Sequence, residues 1–374
     1  MSRCYLCKNE ITDENVSIEH ILPNAIGGRL KSSSLICKEC NSKFGDTSDA
    51  CLAKQLEFFA NQLNIKRERG SVQNVEMTRE STGETYLVSP EGNLVPRKPL
   101  IKERESNGNL EIYVKANDEK TIESILIGLK RRYPKLDITK FKDALKHEVE
   151  YIDEPLHGTI SIDGKKIFPA ILKIAVNYYI EKGGDIEFVD SAIEDLKNNQ
   201  THRVDLIIKE GLVVESDSED VLHYIFINGC REKKKLYAII ELYSAVQFVV
   251  KLSDNYNGED IQHLYVFDVL KRQEIQKEIG LVPDFDFIFK YSYSAVKSDY
   301  NVFRKRIERI LKIGSQRRLD KSIHKITEQS FKKILGEPDG RPITHHDVCL
   351  LVDEIMKGLT PIIANSVMRD KRVR

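Results

Sequence analysis

Tryptophan is absent, and no apolar run approaches the roughly 18 residues that a membrane-spanning helix needs. No apolar segment follows Met1 either. Arg3 and Cys4 come almost at once, so no secretory leader is read and the expected location is the cytoplasm. Net charge is also missing. The 58 Lys/Arg balance 58 Asp/Glu, which excludes a polycation that coats nucleic acid indiscriminately. No internal repeat of about 20–50 residues is present, so a solenoid is excluded. Cysteine is scarce, at seven in 374 residues. An odd count with short paired spacings in a leaderless chain suits a reducing compartment and metal ligation better than disulfides.

What is present is concentrated near the start. Cys4-Tyr5-Leu6-Cys7 and Cys37-Lys38-Glu39-Cys40 are two Cys-x-x-Cys pairs. Each can hold two corners of a tetrahedron on a tight turn, at about 2.3 Å per Zn–S bond. The 29 residues between Cys7 and Cys37 imply a sizeable loop between the knuckles. No thioredoxin-like strand–helix pattern surrounds either pair, which disfavours redox chemistry. Four thiolates fill a zinc shell and leave no position for water, so this zinc would be structural and the chemistry needs a second centre. The first 50 or so residues bury too little apolar surface to fold without such a metal.

Between the pairs lies Glu19-His20-Ile21-Leu22-Pro23, and Asn41 follows Cys40 directly. A neutral imidazole can take a proton from an attacking water near neutral pH. A carboxylate and an amide oxygen suit a hard divalent cation. These residues, with Gly27-Gly28 and with Lys43 after Cys-x-x-Cys-Asn, resemble the HNH endonuclease family in its zinc-bearing form, over about residues 1–60. The resemblance implies a ββα-metal fold, with His20 as general base and Glu19 and Asn41 as ligands of a catalytic Mg²⁺ or Mn²⁺. It implies structural Zn²⁺ on Cys4, Cys7, Cys37 and Cys40. It further implies DNA as substrate, a restriction or anti-phage role, and a homodimer where both strands are cut. Many family members place an orienting Asn just upstream of the second cysteine pair. Here Ser32-Ser33-Ser34-Leu35-Ile36 stands there, so Ser34 or a backbone carbonyl is the expected substitute. Asp46 and Asp49 lie one to two turns past Asn41. They either join the cation's shell or form a solvated helix face.

The rest reads as α+β: the ββα-metal module, then a mixed α/β domain, then a helical C-terminal region. We divide the chain into 1–65 (nuclease module), 66–155 (connector with hairpins and helices), 156–295 (targeting or sensor domain) and 296–374 (basic helical region). Apolar spacing predicts helices over 50–65, 119–133 and 167–182, the last ended by Gly183-Gly184. Strands are expected at 85–88, 110–114, 158–164 (ending in an Asp-Gly hairpin turn), 204–208, 223–227, 236–242 and 247–252. Helices are expected again over 299–313, 320–335 and 344–357.

From Asn301 onward 17 Lys/Arg face 9 Asp/Glu. The run Phe303 to Lys312 puts bases on one helical side, either to neutralise phosphates or as a plain solvated face. Arg369, Lys371, Arg372 and Arg374 make a basic tail. His345-His346-Asp347 reads as a helix start capped by Thr344 rather than a catalytic cluster. His202, His223 and His263 read as structural. Tyr237, Tyr243, Tyr256 and Tyr265 are either core residues or stacking platforms. Two further functional readings compete with an unregulated nuclease. One is a nuclease gated by a C-terminal sensor of a small-molecule or nucleotide activator or of a modified base. The other is a zinc protein that binds DNA without cutting it.

Overall fold

The segment between the cysteine pairs folds as two very short strands and a helix. β1 (Glu19–His20) pairs antiparallel with β2 (Lys31–Ser32), setting Glu19 opposite Ser32 and His20 opposite Lys31. Successive strand residues point to opposite faces, so Glu19 turns inward and His20 outward. The turn between them carries Gly27 at φ 88° and Gly28. A Cβ on Gly28 would lie 2.1 Å from the carbonyl oxygen of Leu22, so close backbone approach dictates glycine there. α1 (Lys38–Phe44) continues through a π turn at Gly45–Asp49 into α2 (Ala50–Gln55). The helix expected over 50–65 is interrupted at Leu56 (φ −97°, ψ 5°), and α3 (Glu57–Gln62) follows. The computed structural model describes all residues except 1, 107–108, 144–145, 147–151, 153, 208, 210, 216, 281, 291–299, 338–339 and 371–374. Lys371, Arg372 and Arg374 of the basic tail therefore lie outside the described residues.

Next come β3 (Val75–Arg79), β4 (Thr85–Val88), β5 (Leu94–Pro96), β6 (Leu100–Ser106) and β7 (Asn109–Lys115). α4 (Glu119–Arg132), α5 (Ile138–Asp143) and β8 (Leu156–His157) follow. β5-β4-β3-β8 form one small sheet, and β6 and β7 a separate hairpin. The strand expected over 158–164 does not form. Asp163 instead opens α6 (Gly164–Glu181), its carbonyl taking the first helical N–H groups from Lys166 and Ile167. Asp-Gly starts a helix as readily as it turns a hairpin, and the apolar run that follows decides between them.

α6 is apolar nearly all round because it is buried from both sides. One side packs on a six-stranded antiparallel sheet, the other on α2 and the Gly45–Asp49 turn. After α7 (Asp190–Lys197), that sheet is built from β9 (Val204–Ile207), β10 (Leu222–Cys230), β11 (Lys235–Leu242), β12 (Val246–Ser253), β13 (Ile261–Asp268) and β14 (Gln273–Glu274). Its order is β14-β13-β10-β11-β12-β9. Its other face, with Tyr224, Phe226, Tyr237, Ile239, Val249 and Val266, is covered by Phe285 and Ile288 of α8 (Phe285–Lys290). Tyr237, Tyr243, Tyr256 and Tyr265 are all buried, so they are core residues and not stacking platforms.

His223 fastens the first hairpin to the sheet. Its Nε2 meets the Ile26 carbonyl oxygen at 2.9 Å, and its Nδ1 accepts the Tyr243 N–H at 3.1 Å. The Tyr243 hydroxyl donates to the same carbonyl. These bonds make Nε2 the protonated nitrogen of a neutral ring. Burial pushes the imidazole from its ordinary 6.5 down to about 4. Above pH 6.5 the ring is neutral in both folded and unfolded chains and adds no pH dependence. Between 6.5 and 4 only the unfolded chain gains the proton, so stability falls as pH falls and the loss levels off below 4. The full loss is about 3 kcal/mol. Urea midpoints for wild type and His223→Gln, measured from pH 7.5 to 4, should show a flatter pH dependence in the variant. Parallel curves would exclude His223 as the source.

The described residues divide into two compact units, Met1–Ile307 and Glu308–Arg374. α9 (Tyr300–Leu335) is one helix where two are expected, since Gly314 and Ser315 do not interrupt it. In the first unit the Arg306 guanidinium donates to the carbonyls of Lys209 and Ala245 and to Gln247 Oε1, so this residue of the basic stripe is an internal staple. In the second unit α10 (His345–Asp370) runs through Pro361, well past Lys357. Gly358 lets it approach Ile326 of α9 closely, and Lys333 pairs with Glu354 at 2.6 Å. Thr344 and Asp347 cap each other reciprocally, and the Arg341 guanidinium and Thr344 hold the Asp347 carboxyl well below its ordinary range. No described helix is long and apolar enough to cross a membrane.

Candidate active site and metal centre

The two cysteine pairs meet. The Sγ atoms of Cys4, Cys7, Cys37 and Cys40 all lie within 4.8 Å of one another, and those of Cys7 and Cys37 are 3.7 Å apart. A zinc tetrahedron with bonds of about 2.3 Å has edges of about 3.8 Å, so this donor set fits. The first knuckle turns tightly: the Lys8 N–H bonds the Cys4 carbonyl at 2.8 Å, with Lys8 at φ 64°. The second is the start of α1. Cys37 precedes its first residue and Cys40 sits one turn on, where helix N–H groups favour a thiolate. Burial and the neighbouring Cys4 push the bare Cys40 thiol far up, whereas backbone N–H groups of Cys7 and Cys37 outweigh burial and lower Cys4. A dication at the centre is what would let all four ionise together.

Asn41 comes one residue after Cys40, so the helix turns it away from the sulfurs and toward β1. Its Nδ2 donates to Ser17 Oγ at 2.8 Å and to the Ile18 carbonyl at 3.4 Å. With the amide nitrogen occupied in this way, Oδ1 is the atom left to accept or ligate.

Glu19 is buried, 2 % exposed, and meets α6. Lys173 Nζ lies 2.7 Å from its Oε1, and Asn177 Nδ2 donates to the same oxygen at 3.0 Å. The same ammonium, fully buried, also meets Asp49 Oδ2 at 2.5 Å. Tyr5 closes the network by donating to Asn177 Oδ1 at 2.7 Å. Burial raises the carboxyls of Glu19 and Asp49, and Lys173 opposes the rise. Burial alone would lower Lys173, but its two carboxylates outweigh it and hold the ammonium charged. Two carboxylates share one ammonium, so the ionised cluster keeps one negative charge. Both contacts to Glu19 fall on Oε1, which leaves Oε2 for another partner. Asp46 is exposed, whereas Asp49 turns onto Lys173.

His20 faces the other side of the hairpin. Its Nε2 lies 3.1 Å from Glu68 Oε2. Lys31, its cross-strand neighbour, reaches the same oxygen at 2.6 Å, and Arg29 reaches Oε1 at 2.8 Å. Lys31, His20 and Arg29 hold the Glu68 carboxyl down at about 2. Ser34 bonds Ser32, 3.1 Å between hydroxyls, and does not orient the histidine. Sequence spacing missed Glu68, Arg29, Lys31, Lys173 and Asn177. Only Lys173 and Asn177 left a trace, as a cation and an amide four residues apart in an otherwise apolar helix.

A ββα unit surrounds four converging thiols, with a partly exposed imidazole and a buried carboxylate on adjacent residues. Residues 4–57 match the family model for HNH endonucleases. No curated protein and no solved structure matches the chain. The HNH match supports a nuclease and implies nucleic-acid binding, and the cysteine cluster within it suggests zinc. The match ends at Glu57, the first residue of α3, so Glu68, Lys173 and Asn177 are supplied from outside the matched segment.

Proposed function

We propose that the chain is a divalent-cation-dependent endonuclease that hydrolyses DNA phosphodiester bonds in the cytoplasm, as a restriction or anti-phage effector. The observation that carries this reading is the outward His20 beside two cations, Arg29 and Lys31, on a hairpin whose helix also presents the Asn41 amide oxygen. Arg29 and Lys31 share the single carboxylate of Glu68, so together they leave one net positive charge where a phosphate would dock. His20 Nδ1 takes a proton from water as the water oxygen bonds phosphorus, and the P–O bond to the departing sugar oxygen breaks. That oxygen then takes a proton from solvent. Glu19 Oε2 and Asn41 Oδ1 are the oxygens offered to Mg²⁺ or Mn²⁺, which when bound would stabilise the charge on the phosphate and leaving oxygen. Cys4, Cys7, Cys37 and Cys40 would hold Zn²⁺, which when bound would tie α1 to the hairpin.

In the same proposal, residues 66–155 connect, 156–295 target, and 296–374 add basic contacts. A homodimer supplies two sites for two strands. A sensor-gated reading needs a ligand site. A cavity of about 490 Å³ at the end of β10 and β11 includes Lys233 and Lys235, but Asp284 and Asp254 already pair with them. That field is compensated, so the structure gives this alternative no support.

Supercoiled plasmid with Mg²⁺ or Mn²⁺ tests the reading. Wild type should nick or linearise it and EDTA should stop it. His20→Ala should be slower by about 10²- to 10⁴-fold, the usual contribution of a positioned base. Equal cutting by His20→Ala would move the site elsewhere. Stoichiometric zinc and DNA binding without cutting would favour the non-catalytic reading.

A further inference from the structure

We propose that Glu68, outside the family-matched segment, is the positioning residue for His20: it holds the imidazole as the Nε2–H tautomer and turns Nδ1 toward the reacting water. This rests on the reading of His20 as the base. The geometry is a three-way grip. Lys31 and His20 share Glu68 Oε2, at 2.6 and 3.1 Å, and Arg29 takes Oε1 at 2.8 Å. A carboxylate held by two permanent cations only accepts hydrogen bonds, so the proton between it and the ring belongs to Nε2. Nδ1 is then the basic nitrogen.

The backbone around Glu68 is held as well. Asn24, in the turn between β1 and β2, accepts the Glu68 N–H at 2.8 Å and donates to the Arg69 carbonyl at 3.2 Å. Arg29, Lys31 and Asn24 all belong to the hairpin that carries His20. The carboxylate is therefore fixed to the same rigid element as the base. A displaceable plug, occupying the place of a phosphate until substrate arrives, would not need this second anchor. The family's usual orienting amide has no counterpart at Ser34, and Glu68 fills that role from 48 residues beyond His20.

Two readouts on the full chain test this. Long-range ¹H–¹⁵N correlation spectra at neutral pH report the His20 tautomer with no need for cleavage. Wild type should be Nε2–H, and Glu68→Ala should lose that preference. In plasmid assays Glu68→Ala should lower kcat roughly a hundredfold, the lower end of a base's contribution, with KM unchanged or reduced. Glu68→Asp should recover part of both. Asn24→Ala, which frees the backbone without touching the carboxylate, should shift both readouts less in the same direction, and it serves if Glu68→Ala fails to fold. An unchanged tautomer, or faster cutting by Glu68→Ala, would overturn the proposal, the latter in favour of a plug. If His20→Ala cuts like wild type, the base assignment falls, and the tautomer measurement still decides what Glu68 does.

Discussion

Cys40→Ser protein should purify with less than one zinc per chain, and its first hairpin and α1 should lose protection from hydrogen exchange. Structural zinc contributes roughly 10–16 kcal/mol in isolated zinc-finger peptides near neutral pH, a large share of what holds so small a unit together. The loss should be confined. β10–β13 and α6 form their own core, with the Tyr224, Phe226 and Ile239 cluster on one face of the sheet and α6 on the other. Exchange should therefore rise over residues 4–57 while the sheet stays protected. Stoichiometric zinc with unchanged exchange in the variant would show that the four cysteines are not the metal site.

Lys173→Met should cost about 3–5 kcal/mol, the usual cost of breaking a buried ion pair from one side. The variant leaves Glu19 and Asp49 facing each other across an apolar side chain, with burial already raising both carboxyls. Adding Asp49→Asn should restore part of the loss, because one of the two stranded charges is then gone. Urea denaturation of the two variants and wild type reads the difference. A change below about 1 kcal/mol, the ordinary effect of a surface pair, would mean that water reaches the cluster and that it does not tie the hairpin to α6.

Local spacing made half of the candidate site legible. Cys4, Cys7, Cys37 and Cys40 announce themselves because paired ligands on a tight turn have two residues between them. Glu19-His20 and Asn41 stand beside that frame. The residues that complete the site are distant in the chain: Glu68 lies 48 positions from His20, and Asn177 lies 158 from Glu19. Such contacts leave no period to read. Four of the six sheet strands were legible for the opposite reason, since runs like Leu236–Leu242 are apolar enough to be buried on both faces, whereas β13, half polar at its start, and the two-residue β14 were not read. Errors came where one local pattern serves two structures. Asp163-Gly164 opens a helix instead of turning a hairpin, and the basic stripe around Arg306 includes a guanidinium aimed inward at carbonyls.

The position of α6 also orders events during synthesis. The four cysteines are made before these supports: the ammonium that Asp49 shares with Glu19 is encoded 124 residues after Asp49, and His223 comes 197 after the Ile26 carbonyl it grips. A nascent chain can hold metal long before its hairpin is locked in place. A truncated translation product ending before α6 would carry every residue of the family motif and lack the supports that set Glu19. Premature termination thus yields a fragment whose Glu19 lacks the ammonium and amide that fix it.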